Sequence, residues 1–391
     1  MATFDESDKF VGKAKIYWNK GQRHCEEQTK RAMNKMTLEE KIKEIREKAA
    51  SRHALILAHY YTRPEIQEVA DFIGDSLALA RKAAETDAPV LVMCGVHFMA
   101  ETCKLLSPEK TVLEPDPAAG CSLADSCRAE DLKAFKEAHP GYKVISYVNT
   151  TAAVKALSDC CVTSGNAVKV INSLPKDEKL IFGPDYNLGN YINAISGREM
   201  LLWQGGCHVH EKFSVQAILK LKRQYPDALV MAHLECKAPV LALADVKGST
   251  AAMLTYAQSH PGQKQFIVAT EAGILFEMRR RCPDQTFIPV PPEVTEGENL
   301  TPTESGQGLT TGGSGQGSAA GHTGDKDAAA QDLRIVTGMP TACACNECEF
   351  MKLNTLEKIA ACLDTLQPQV TIPEDIAREA VKPIEKMLSL S

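Results

Sequence analysis

The sequence lacks a basic stretch. Its 44 Lys and Arg are scattered among 50 Asp and Glu, for a formal net charge of −6, which argues against nucleic acid as the main partner. No apolar run approaches the roughly 18 residues of a membrane span. Residues 1–10 (MATFDESDKF) have no apolar leader core, so the expected setting is cytoplasmic, without membrane contact. No G-x-G-x-x-G follows a strand-like run and no G-x4-GK[ST] occurs, which leaves nicotinamide and nucleoside triphosphate binding unsupported. The hydrophobic share of 44% excludes general disorder, and 391 residues suffice for two or three domains. What is abundant is cysteine, with 14 residues. In a reducing compartment so many thiols suggest a metal or redox role for some, and burial as small hydrophobes for most.

Three stretches repeat one order of strand, polar loop, helix, helix, strand. Their first strands are Leu55–His59, Val144–Val148 and Leu229–His233, short apolar runs of the kind buried on both faces. Helical patterns follow at Glu65–Phe72 and Ala152–Leu157, then small-residue stops at Gly74-Asp75-Ser76, Thr163-Ser164-Gly165 and Gly248-Ser249-Thr250. Second strands are expected at Val90–Met93, Leu180–Phe182 and Phe266–Ala269. His59 to Tyr147 is 88 residues and Tyr147 to His233 is 86; Ser76, Ser164 and Thr250 keep the same two intervals, and Gly95 to Gly183 is again 88. The period is too long for a solenoid and indicates a triplicated α/β unit with parallel sheets.

The repeats sort the cysteines. Cys121 lies 62 residues past His59, and Cys207 lies 60 past Tyr147. A third is due near position 294, but residues 294–333 are Gly/Ser/Thr-rich, acidic and of low complexity, the composition of a disordered insertion. Cys343-Ala344-Cys345-Asn346-Glu347-Cys348 stands just beyond. One thiolate per repeat converging on an axis suits an iron–sulfur cluster with one open iron. The competing reading packs Cys121 and Cys207 in loops and leaves the Cys343-x-Cys345-x2-Cys348 group to bind zinc. Cys94, Cys103, Cys160, Cys161, Cys236 and Cys362 read as core; Cys127 is a weaker ligand candidate, and Cys25 and Cys282, in polar surroundings, receive no role.

The strand ends carry His59, Tyr60 and Tyr61, then Tyr147 and Asn149, then His233 and Glu235. Ligands collect at such carboxyl ends in open α/β folds, and these side chains serve as acids, bases and hydrogen-bonding groups. Ser76, Ser164, Ser249 and Thr250 precede helices, where capping and the helix dipole favour anions. Together they suggest a pocket for a multiply anionic small molecule. The Lys30–Lys48 segment reads as an exposed mixed-charge helix.

Longer strings resemble one family. They include His59-Tyr60-Tyr61, Ile66 to Ser76 (IQEVADFIGDS), Gly95 to Thr102 (GVHFMAET), Gly120 to Asp125 (GCSLAD), Trp203 to Cys207 (WQGGC), Gly248-Ser249-Thr250, Thr270 to Ile274 (TEAGI) and Met351 to Lys358 (MKLNTLEK). These are similar to quinolinate synthase from about residue 50 to the C-terminus, with a break at the insertion. The resemblance implies three pseudo-symmetric three-layer αβα domains with parallel sheets around a central [4Fe-4S] cluster. It implies a transferase of de novo NAD biosynthesis that condenses iminoaspartate with dihydroxyacetone phosphate to quinolinate, releasing phosphate and water. An L-aspartate oxidase or dehydrogenase that makes iminoaspartate is the implied partner. By the same resemblance the cluster ligands are Cys121, Cys207 and Cys348. The last is placed by its position three residues before Met351, although the chain reads C-x-C-x2-C where many relatives read C-x2-C-x2-C. The implied substrate residues are His59, Ser76, Tyr147, Asn149, Ser164, His233, Glu235 and Thr250, with Tyr61, Tyr147 and Glu235 moving protons. The expected organisation is an N-terminal extension and helix (1–50) followed by repeats at 51–125, 126–210 and 211–391, the last with the insertion and C-terminal helices. A non-catalytic iron–sulfur sensor or scaffold and a zinc hydrolase are the rival readings.

Overall fold

A computed structural model describes residues 29–30, 33–292 and 346–391. The expected insertion at 294–333, with Cys25, Cys343 and Cys345, lies outside the described residues. Helix α1 (Leu38–Ser51) begins at a capping box in which Thr37 and Glu40 satisfy each other's backbone N–H groups. The first repeat then runs β1 (Ala54–His59), α2 (Pro64–Val69), β2 (Phe72–Gly74), α3 (Ser76–Glu85), β3 (Val90–Cys94), α4 (His97–Leu106) and β4 (Thr111–Leu113). Helices α5 (Ser122–Asp125) and α6 (Ala129–Ala138) lead to the second. That repeat is β5 (Lys143–Tyr147), α7 (Ala152–Lys155), β6 (Cys160–Val162), α8 (Ala167–Ser173), β7 (Leu180–Gly183), α9 (Tyr186–Ser196) and β8 (Leu201–Leu202). Helix α10 (Val215–Gln224) precedes the third, made of β9 (Leu229–His233), α11 (Ala238–Ala242), β10 (Val246–Gly248), α12 (Thr250–Ser259), β11 (Gln265–Ala269), α13 (Ile274–Arg281) and β12 (Thr286–Pro289). Helices α14 (Leu356–Thr365) and α15 (Glu374–Leu390) follow.

The three sheets share one topology, β2-β1-β3-β4, β6-β5-β7-β8 and β10-β9-β11-β12, and every strand pair is parallel. The register repeats too: His59 pairs with Gly74, Tyr147 with Val162 and His233 with Gly248. Each unit thus holds four strands where the sequence pattern indicates two. Of the unread strands, β2 begins at Phe72, the expected close of a helix, and β2 and β10 end in Gly74 and Gly248 of the expected small-residue stops, while β6 lies between the expected helix and its stop.

One aspartate recurs at the same place in each unit. The Oδ2 atoms of Asp71, Asp159 and Asp245 accept the N–H of Ile56, Val144 and Val230, each at 2.8 Å. The same aspartates donate their own N–H to the carbonyls of those residues at 2.9, 2.8 and 2.9 Å. This tie fixes the start of each central strand relative to the short edge strand beside it.

Alternating side chains bury both faces of the sheets. Ile56, Ala58 and Val92 of the first sheet pack with Ile42 and Ile45 of α1 and with Ile359 and Leu363 of α14. The expected exposed helix is therefore amphipathic, beginning at Leu38 and seated on the protein by Ile42, Ile45 and Ala49. On the opposite face, Leu57 and Met93 join Ile145 and Phe182 of the second sheet in one cluster with Ala380, Ile384 and Met387 of α15. The C-terminal helices thus follow the third repeat in sequence but pack on the first two. Tyr60 lies in the apolar cluster of the third sheet, beside Met253 and Leu254.

Candidate active site

The carboxyl ends of the central strands face one cavity of about 700 Å³, counting its open mouth. The twelve residues that the resemblance implies all line it: His59, Tyr61 and Ser76; Tyr147, Asn149 and Ser164; His233, Glu235 and Thr250; and Cys121, Cys207 and Cys348. Tyr60 and Ser249 are absent from its wall. Ser249 caps α12 through the N–H of Ala252 at 3.2 Å, while Thr250 is the first helical residue. In the first repeat the cap is Asp75, not Ser76; its Oδ1 accepts the Ala78 N–H at 3.0 Å. In the second, Ser164 precedes the N-cap position Asn166, whose Oδ1 accepts the Thr163 N–H at 2.7 Å.

Two histidines are held the same way. The N–H of Tyr61 donates to His59 Nδ1 at 3.2 Å, and that of Glu235 donates to His233 Nδ1 at 3.3 Å. An Nδ1 that accepts leaves the ring proton on Nε2. His233 Nε2 lies 3.2 Å from Ser164 Oγ, to which it donates in this tautomer. Burial, with the neighbouring His233, brings the pKa of His59 down to about 3. Burial brings that of His233 down to about 4, against the attraction of Glu235. Both rings are neutral near pH 7.

Glu235 sits at the centre of a buried network. Tyr147 Oη donates to its Oε1 at 2.5 Å, and His210 Nδ1 lies 3.0 Å from its Oε2. Burial opposes its ionisation, but the neighbouring His210 and His233, with the hydrogen bonds from His210 and Tyr147, outweigh that penalty. The carboxyl therefore titrates below the usual range. The network continues from His210 Nε2 to Thr270 Oγ1 at 3.0 Å and from Thr270 Oγ1 to Tyr61 Oη at 2.7 Å, with Thr250 Oγ1 2.8 Å from the same phenol. Tyr61 and Tyr147, from different repeats, are thereby joined through Thr270, His210 and Glu235. Burial, aided by the charge of Glu235, raises both phenols well above their ordinary pKa, so both carry their protons at neutral pH.

The three cysteines arrive from three separate segments. Cys121 immediately precedes α5, Cys207 follows β8, and Cys348 lies just before the short 3-10 turn Met351–Leu353. Their partial burial pushes the thiols up, to about 12 for Cys121, about 11 for Cys348 and well above the ordinary value for Cys207. Neutral thiols crowded in one pocket, each costly to ionise alone, fit a soft metal centre that shares their charge. Cys207 Sγ, a His210 nitrogen and a Glu235 oxygen also lie within 4.8 Å of one another, a set that could hold an ion. Cys127 is buried with Leu132 and Val144 on the other face of the second sheet, which removes it as a ligand. Cys94, Cys103, Cys160, Cys161, Cys236 and Cys362 are all at most 1% exposed, in agreement with their reading as core. Cys282 is a correction: it is buried in the apolar cluster of the third sheet, not in polar surroundings.

Sequence reasoning passed over His210, Thr270 and Glu271. Fully buried Glu271 accepts the N–H of Cys348 at 3.0 Å and that of Gly273 at 2.6 Å, and pairs with Lys352 Nζ at 2.8 Å. Lys352 also donates to the Tyr61 carbonyl at 2.7 Å, which ties the third cysteine to the first repeat. A signal existed: His97, Asp185 and Glu271 stand at intervals of 88 and 86, each just past a central strand. Their differing side chains concealed it.

A family model described as "Quinolinate synthetase A protein" matches residues 40–304 and 325–389. The chain is 49% identical over 339 residues to the quinolinate synthase of Thermosynechococcus vestitus (strain NIES-2133 / IAM M-273 / BP-1), covering 87% of this chain and 92% of that one. It is 47% identical over 339 residues to the quinolinate synthase of Chloroherpeton thalassium (strain ATCC 35110 / GB-78), covering 87% and 91%. The quinolinate synthase of Prosthecochloris aestuarii (strain DSM 271 / SK 413) is 45% identical over 354 residues, 90% and 94% of the two chains. With the triplicated fold and the shared cavity, these matches place the chain in the quinolinate synthase family.

Proposed function

We propose that the chain condenses iminoaspartate with dihydroxyacetone phosphate to form quinolinate, with loss of phosphate and water, in de novo NAD biosynthesis. The observation that carries this reading is the meeting in one cavity of three cysteines from three segments and an acid–base set drawn from all three repeats. Cys121, Cys207 and Cys348 would hold a [4Fe-4S] cluster. When bound, the cluster supplies an iron with an open position, a Lewis acid toward substrate oxygen.

The protein's own groups supply the rest. Ionised Glu235 accepts a proton at Oε1 or Oε2, and Tyr147, hydrogen-bonded to it, delivers one from Oη. Tyr61 does the same at its own Oη, recharged along Thr270 and His210. Dehydration needs such paired donation and removal of protons. The Nε2–H of His59 can donate to a carboxylate oxygen, and that of His233, given to Ser164 Oγ, leaves the serine hydroxyl proton free for the substrate. Asn149 Oδ1, buried without a partner, is an acceptor available to a substrate N–H. Ser76 and Thr250 open ten-residue helices, where a hydroxyl and free backbone N–H groups favour phosphate and carboxylate. Ser164 adds a hydroxyl from the second repeat. A cytoplasmic setting and supply of the unstable imine by an L-aspartate oxidase or dehydrogenase belong to the same proposal.

The test is anaerobic purification with iron and sulfide analysis, followed by assay with both substrates. Iron and sulfide in near-equal amounts with quinolinate as product are expected. A zinc-only protein, or an iron–sulfur protein that makes no quinolinate, would refute the reading. Cys348→Ser is expected to abolish cluster loading while Cys345→Ser retains it, and the reverse result would move the third ligand.

A further inference from the structure

Two of the cavity's three strand-end loops rest on a buried donor at one place in the repeat. Gln67 is 1% exposed and donates from Nε2 to the carbonyls of Tyr60 at 2.9 Å and Thr62 at 3.0 Å. Those carbonyls flank Tyr61. Lys155 is fully buried and donates from Nζ to the carbonyls of Val148, at 2.9 Å, and Thr150. Those flank Asn149. Gln67 to Lys155 is 88 residues, and so are Tyr60 to Val148 and Thr62 to Thr150. Each donor is the fourth residue of the short helix after the first strand, α2 or α7.

An ammonium carried into an apolar interior is expensive unless its protons are matched. Two carbonyls take two of them, and the Phe98 ring lies 5.5 Å from Nζ. The third repeat differs. Its equivalent position, 86 residues on, is Leu241, the fourth residue of α11, which offers no donor. There the loop is held through its own side chains, Glu235 by Tyr147 and His210, and Cys236 Sγ by the Ala269 carbonyl at 3.5 Å.

The donor fixes the peptide plane that enters Tyr61 or Asn149 and the plane one residue further on, while the plane between them is held by the N–H of Thr62 on the His59 carbonyl at 3.0 Å and that of Thr150 on the Val148 carbonyl at 2.8 Å; together these set the direction of the side chain. We propose that Lys155 and Gln67 are positioning residues that aim Asn149 and Tyr61 into the cavity, and that amide and ammonium are interchangeable in this role. The proposal rests on the quinolinate-forming reading only for its kinetic consequence.

The test pairs Lys155→Met with Lys155→Gln, the latter copying the first repeat. In cluster-loaded protein, Lys155→Met is expected to speed hydrogen exchange in the segment 147–151 and to lower kcat/KM by on the order of 10²-fold, as a misaimed binding group does. Lys155→Gln is expected to keep slow exchange and most of the activity. Gln67→Met should act likewise on residues 60–62. Wild-type exchange and kinetics in Lys155→Met, or a Lys155→Gln protein no better than Lys155→Met, would overturn the proposal. If Lys155→Met does not fold, the swap alone decides: a folded protein with slow exchange at 147–151 supports the brace, and an unfolded one refutes it. A wild-type enzyme that makes no quinolinate would sink the functional reading while leaving the exchange result to judge the brace.

Discussion

Glu235 and Tyr147 face each other across two repeats at 2.5 Å, so a change in either alters the chemistry of both. Tyr147→Phe and Glu235→Gln should each lower kcat/KM by roughly 10²–10⁴-fold, the usual worth of a placed acid or base. Iron content should stay at the wild-type level. Anaerobic steady-state kinetics beside iron analysis checks this; retained activity would favour a protein whose pocket residues are dispensable. His97 offers a separate measurement. Burial works against its charge, but the hydrogen bond and charge of Glu114, with Glu101 nearby, raise its pKa to about 9. Because this lies above the unfolded value of about 6.5, the stability it contributes is complete below that pH. It is lost as the pH rises through about 9. An NMR titration of the histidine resonances should show one group titrating near 9, and Glu114→Gln should bring it down. The twelve expected residues that line the cavity were legible because they fall at matched positions in a threefold pattern or within family strings. His210 was not, since a histidine three residues after a cysteine has no counterpart in the other two repeats.

At the level of elements, the central strands were readable because each is a run of apolar residues buried on both faces, such as Val90–Cys94. The edge strands were not. Cys160–Val162 and Leu201–Leu202 are three and two residues long, too short to show a period of two. Their placement depends instead on polar ties that hydrophobic patterning ignores. The Asp71, Asp159 and Asp245 ties are the clearest, and they obey the 88 and 86 spacing. Asp159→Ala strips the Val144 N–H of its carboxylate partner and should cost about 1–3 kcal/mol, the penalty for an unmet polar group. Chemical denaturation of the cluster-free protein measures it, and Asp159→Asn should cost less because its amide oxygen can still accept.

For the molecule as a whole, function and acid stability oppose each other at the cavity. His59 and His233 are held neutral, with pKa values of about 3 and about 4, whereas an unfolded chain protonates both below about 6.5. The unfolded state therefore binds more protons between those limits, and stability falls as the pH drops from about 6.5 toward 4. The melting temperature of cluster-free protein, measured stepwise from pH 7.5 to 4.5, should decline over that interval. His233→Gln should flatten the decline.

The packing of α14 and α15 on the first two repeats also orders events during synthesis. Cys348 and both of these helices are encoded after the third sheet is complete. A nascent chain that stops short of them exposes apolar faces of its first two repeats and carries two of the three thiols. A chain cut short there has an unfinished cavity wall, so the segment beyond the third sheet completes both the packing of the first two repeats and the cavity itself.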